Sequence, residues 1–211
     1  MVKYVLAVAV SLIVAAVVML LWKQYEVVDT GRRKDRLIMA ASVLLLLWMN
    51  LFFCRHRYDV WEWAKWEILL VLCITTAFID HRKRIIPNKL LLAAFVARTL
   101  LFLPEFLTDT KTAQMLLIKD LIGAVVCFGV LFVAGFLAKN QIGAGDVKLF
   151  GVIGYIFGIA GAYNTLFYSM LFALIYGVYQ MLVHRSGRKY RMAFAPFVCL
   201  GCVCVLLMQA F

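Results

Sequence analysis

Apolar stretches long enough to cross a bilayer recur along the whole of this chain, and only short charged loops separate them. That pattern leaves few folds open. About 20 apolar residues span a hydrocarbon core as a helix. A backbone inside lipid must satisfy its own hydrogen bonds, so long spans of this kind are helices. Eight are expected, at about residues 4–22, 37–54, 67–79, 88–103, 121–138, 147–162, 165–183 and 193–211. The chain is therefore read as an all-α, polytopic membrane protein. Its hydrophobic share of 65% agrees with this, because a soluble domain is nearer half apolar. The first span is read as uncleaved. It is too long for a signal-peptide core, its positive charges follow it, and no small-residue cleavage site does.

The chain holds 22 Lys and Arg against 11 Asp and Glu. In a soluble protein such an excess suggests nucleic acid. Here the basic residues sit in short loops, no polar domain accompanies them, and no nucleic-acid partner is expected. Fifteen of the 22 fall in the loops after spans one, three, five and seven. Six fall on the opposite side, and Arg98 lies within span four. The positive-inside rule then puts the basic loops in the cytoplasm and both chain ends outside.

This orientation has a consequence for two acids. Asp80 closes the third span, and Asp146 opens the sixth behind Gly143-Ala144-Gly145. Both are expected on the cytoplasmic side at similar depth. Ionisable residues at membrane spans are costly and usually functional. Two carboxyl groups sharing one site do not both ionise easily, so the pair holds one proton. One member then activates water while the other protonates a carbonyl. The helix dipoles, by position, favour the shared proton on Asp80. No metal or other cofactor is expected, since His56, His81 and His184 are scattered and no HExxH occurs.

Other residues receive supporting or structural readings. Gly143 and Gly145 permit positive φ and close backbone approach. Lys148 either biases the Asp146 charge or marks the interface. Pro87 forces Ile86 out of helical geometry, and Asn88 is placed to cap span four, which Pro104 ends. Residues 105–120 are read as a polar loop. Trp61, Trp63 and Trp66 are read as an interfacial belt. Gly151, Gly154, Gly158 and Gly161 form a smooth stripe for helix packing. Arg98 is expected to snorkel outward from span four. The six cysteines, Cys199 and Cys202 included, are read as small buried hydrophobes.

At these two acids the chain resembles the type IV prepilin peptidases, a GxGD class of intramembrane aspartyl peptidases. The matching residues are Gly143-Ala144-Gly145-Asp146-Val147-Lys148-Leu149, together with Asp80 and the downstream Ile86-Pro87-Asn88. The resemblance covers about residues 61–211, which it implies form a six-helix peptidase core. Residues 1–60 would be two additional spans without a recognised motif. It implies Asp80 and Asp146 as catalytic residues, and a prepilin or pseudopilin substrate that loses its basic leader at the cytoplasmic membrane face. Larger members carry a cytoplasmic insertion with two CxxC pairs and also N-methylate the product. The loop at residues 23–36 has no cysteine, so the chain is closer to the short peptidases of tight-adherence pilus systems. Two other classes fit the same acids: a proton- or cation-coupled transporter or channel, and a non-catalytic scaffold for pilus assembly.

Overall fold

The computed structural model describes residues 2–26, 33–56, 59–137, 142–183 and 192–209. Among these residues there are seven helices and no strand. They are α1 (Val2–Gln24), α2 (Arg33–His56), α3 (Val60–Lys83), α4 (Asn88–Thr108), α5 (Thr110–Leu137), α6 (Ala144–Val183) and α7 (Ala195–Met208). Four of them, α2, α4, α5 and α6, are long and apolar enough to cross a membrane. The expected all-α, multi-pass architecture is the one observed. Parts of the expected loops, at residues 27–32, 57–58, 138–141 and 184–191, lie outside the described residues.

Spans six and seven form one 40-residue run, α6. A straight helix of that length would reach about 60 Å, about twice the hydrocarbon thickness. α6 instead doubles back at Gly158, where φ is 71° and ψ is 178°. Phe150 before the break and Ile159, Ala162 and Leu166 after it line one small cavity, together with Val126 and Val130 of α5. Residues so far apart along a straight helix meet only if its two arms fold together. The reversal thus falls at Gly158 rather than at residues 163–164, as the apolar pattern suggested. That backbone region is open almost only to glycine, whereas Tyr163 and Asn164 continue the helix.

The expected glycine stripe is divided among separate tasks. A methyl at Gly154 would lie 2.4 Å from the Gly123 carbonyl oxygen, so α5 and α6 cross backbone to backbone there. Gly151 faces Phe128 of α5, and Gly161 lies against the ring of Phe157. We expect Gly123→Ala and Gly158→Ala each to cost about 1–3 kcal/mol, by overpacking in the first and backbone strain in the second. A methyl at Gly129 meets nothing within 4 Å. Gly129→Ala should therefore leave stability unchanged or raise it. Thermal unfolding in detergent tests this order. A Gly123→Ala protein as stable as Gly129→Ala would contradict the close crossing.

Two sequence expectations at the end of the bundle opposite Asp80 are corrected. Pro104 does not end α4, which continues to Thr108, and α5 begins at Thr110. The supposed loop 105–120 is therefore almost all helix. Asp109 is the link, accepting hydrogen bonds from the Lys111 and Thr112 amides at 3.1 and 3.4 Å. Helix continuation brings Glu105 and Asp120 inside the bundle, and both are buried. Arg98 does not snorkel. It is fully buried and donates to Glu105 Oε1 and Asp120 Oδ2, each at 2.8 Å. Its guanidinium also lies 3.9 Å from the Phe102 ring centroid. A planar fork with two inward carboxylates has no reason to reach for the interface.

Two of the three belt tryptophans turn inward. Trp66 is buried and packs edge-on against Phe157 at 4.8 Å. Trp63 donates from Nε1 to Asn50 Oδ1 of α2 at 2.7 Å. Ala15, Val18 and Trp22 of α1 and Leu46, Met49 and Phe53 of α2 belong to the same apolar core as α3, α6 and α7. Cys73, Cys199 and Cys202 are buried free thiols within it.

Candidate active site

Asp80 lies in the last turn of α3 and is buried. The helix stops just beyond it. Arg84 takes the left-handed conformation at φ 56°, and its amide closes onto the Asp80 carbonyl at 2.9 Å. The chain then extends through Ile85, Ile86 and Pro87 into α4. Pro87, at φ −69° and ψ 122°, is the residue before the helix, and its carbonyl accepts from the Leu90 and Leu91 amides. Asn88 is therefore the first residue inside α4 and not its cap.

Asp146 lies in the first turn of α6. The Gly143 carbonyl accepts from the Asp146 and Val147 amides at 3.0 and 3.2 Å, which starts the helix. Among the described residues only Gly158 is a glycine with positive φ. Of the two properties expected at Gly143 and Gly145, positive φ is thus not used, and close approach is. A methyl at Gly143 would lie 2.8 Å from Asp146 Oδ2, in the volume the carboxylate occupies. A methyl at Gly145 would press on Ile86 Cβ at 3.1 Å.

These contacts join the two motifs. Gly145 packs against Ile86, and Lys148 Nζ donates to Asn88 Oδ1 at 3.2 Å. Lys148 therefore has a side-chain partner on α4. It ties the start of α6 to the start of α4. At this end the Asp146 carboxylate lies within electrostatic reach of Asp80. All seven residues singled out in the sequence, Asp80, Pro87, Asn88, Gly143, Gly145, Asp146 and Lys148, gather at one end of the bundle.

One participant was not foreseen. The Ala195 amide, at the start of α7, donates to Asp80 Oδ2 at 3.1 Å. The first amides of a helix have no intrahelical partner and suit a carboxylate. The signal was present as Pro196, a residue favoured in the first helical turn, after a loop on the side already assigned to Asp80. This donor fixes the Asp80 carboxylate from a third helix. Helix-end position alone therefore does not decide which acid would hold a shared proton.

The end of α3 is braced further by Asp35 in the first turn of α2, which pairs with Arg82, and by the Tyr25 carbonyl, which accepts from Lys83. Among the described residues no cluster of three or more His, Cys, Asp or Glu is arranged to hold a metal ion. The arrangement offers two carboxyl groups, Asp80 buried and Asp146 half-buried, and a backbone donor holding Asp80. Such a set suits proton transfer to and from a reacting carbonyl.

Comparison with known proteins gives a consistent picture. No solved structure matches the chain. A prepilin leader peptidase/N-methyltransferase of Bacillus subtilis (strain 168) is 30% identical over 138 residues, which is 64% of this chain and 52% of that protein. The chain thus spans about half the length of this curated relative. Residues 67–178, just over half of the chain and including both aspartates, match the type IV leader peptidase family. By that match, the chain belongs to the type IV leader peptidase family.

Proposed function

We propose that this protein is a membrane-embedded aspartyl endopeptidase that removes the basic leader from type IV prepilins or pseudopilins. The observation that supports the reading is the junction of the two motifs, Gly145 on Ile86 and Lys148 on Asn88, at the end of the bundle where Asp146 lies within electrostatic reach of Asp80. In this reading one carboxylate takes a proton from water as the oxygen attacks the scissile carbonyl carbon. The other, protonated, carboxyl donates to the carbonyl oxygen. Collapse of the tetrahedral diol breaks the C–N bond, and a proton passes to the leaving amine. The Ala195 amide keeps Asp80 Oδ2 in register throughout. The Lys and Arg asymmetry supports placing this end at the cytoplasmic face, where a basic leader remains before cleavage.

The test is co-expression with a candidate prepilin and intact-mass measurement of the product. Loss of the leader with the wild-type chain, and its retention with Asp80→Asn and Asp146→Asn, is the expected pattern. Persistent cleavage in both variants would remove the dyad from the mechanism. Gly143→Ala gives a finer check. Its methyl displaces the Asp146 carboxylate without changing any ionisable group. A misplaced catalytic group costs about a hundredfold in rate, so kcat should fall by about ten- to a hundredfold at similar KM. An unchanged kcat would mean that the carboxylate position near Gly143 is not the reactive one.

A further inference from the structure

Asp80 is the last buried residue of α3. His81, Arg82, Lys83 and Arg84 after it are exposed, and the helix stops at Lys83. The final carbonyls of a helix lack intrahelical partners, and helix ends fray. A carboxylate in such a turn keeps its place only if neighbouring elements grip the turn. The Ala195 amide of α7 grips it on the side of Asp80. At roughly 100° per residue, Arg82 stands about 200° round the helix from Asp80, on the opposite face. The grip there comes from α1 and α2.

Asp35, in the first turn of α2, pairs with Arg82. The acid is fully buried. A buried carboxylate is retained at a cost unless an opposite charge meets it, and it is too deep to meet a basic leader itself. Lys83 donates to the Tyr25 carbonyl, just past the end of α1. Each charge also suits the helix it meets, a carboxylate at the start of α2 and an ammonium at the end of α1. The Arg82 guanidinium lies 5.6 Å from the Phe78 ring centroid, and that ring packs on Trp22 of α1 at 4.4 Å. The closing turn of α3 is thus fastened to the two helices that carry no recognised motif.

We propose that Asp35 is a positioning residue for the candidate dyad: by holding Arg82 it fixes the last turn of α3, and with it the Asp80 carboxylate. The inference rests on the peptidase reading above. It gives the α1–α2 pair a task in the reaction, as a clamp on the reactive geometry. Asp35 touches no reacting atom. It acts through Arg82 and the backbone of one helical turn, which is held between a carboxylate on α2 and an amide on α7. A group misplaced by about 1 Å costs about a hundredfold in rate, so loss of the clamp falls on kcat rather than on substrate binding.

The experiment uses the chain in liposomes and reads it in two ways. Hydrogen–deuterium exchange of the segment from Asp80 to Ile86 reports the turn without substrate, and leader removal from a prepilin gives kcat and KM. Asp35→Asn should speed exchange of the Arg82, Lys83 and Arg84 amides by about tenfold or more. It should lower kcat by about ten- to a hundredfold with KM little changed. The double variant Asp35→Asn, Arg82→Gln leaves no buried unpaired charge and removes the same contact, so it should be no slower than the worse single variant. Trp63→Phe is the control. It removes the hydrogen bond to Asn50 that joins the same two helices at their far end, and should lower the unfolding midpoint without altering kcat or exchange near Asp80. Unchanged exchange in Asp35→Asn, a raised KM at unchanged kcat, or an equal kcat loss in Trp63→Phe would overturn the positioning role. Failure of the wild-type chain to remove any leader would overturn the peptidase reading itself, and the exchange comparison would still decide whether Asp35 holds the turn.

Discussion

Asp80→Asn and Asp146→Asn are each expected to lower the rate of leader removal by about 10²–10⁴-fold, the range of a lost general acid or base. Both proteins should remain folded and in the membrane. Asparagine preserves shape and a hydrogen-bonding oxygen, so the Ala195 amide keeps an acceptor at position 80. In the proposed mechanism the two acids act as a unit, so the double variant should be hardly slower than either single one. Effects that multiplied would show that each acid works independently. The substitutions also separate the classes that the sequence leaves open. A scaffold would tolerate both changes in a pilus-assembly assay. A proton or cation pathway would lose ion flux in liposomes while leader removal was never observed.

The second large effect is expected far from the dyad. Arg98→Met removes the positive partner of two buried carboxylates, Glu105 and Asp120. Breaking a buried ion pair from one side costs about 3–5 kcal/mol, because a charge is left in a poor solvent. Lys65 lines the same cavity as Asp120 but does not replace a guanidinium held by two carboxylates. The triple variant Arg98→Met, Glu105→Gln, Asp120→Asn should recover most of the loss, since no uncompensated charge remains. Unfolding midpoints in detergent for the two proteins decide this. A snorkelling arginine at the interface would instead give a small loss for Arg98→Met and no recovery in the triple variant. The fraction of Arg98→Met that stays folded should keep its kcat, because the cluster lies at the opposite end of α3 from Asp80.

The candidate site was legible in the sequence to an unusual degree. An acid is conspicuous against apolar spans, and the alternation of basic loops assigns Asp80 and Asp146 to one side without any distance being known. Gly143, Gly145, Pro87, Asn88 and Lys148 could be named, but their tasks could not. Glycine is compatible with positive φ and with tight contact alike. Only the positions of Asp146 and Ile86 show that contact is what matters here. A lysine two residues from an aspartate looks like its electrostatic neighbour, yet helix geometry turns Lys148 toward Asn88.

The sequence by itself determined the all-α, multi-pass class of fold and the expectation that the two acids share one end of it. Each follows from local composition and the cost of polar groups in lipid, which need no knowledge of partners. Tertiary structure alone decided where α6 reverses, because several glycines could have served and only the packing of two arms on α5 selects Gly158. It decided that Arg98 is buried, because its partners stand 7 and 22 residues away. And it brought the Ala195 amide to Asp80 across 115 residues, a pairing that no local pattern encodes, since a backbone donor has no side chain to announce it.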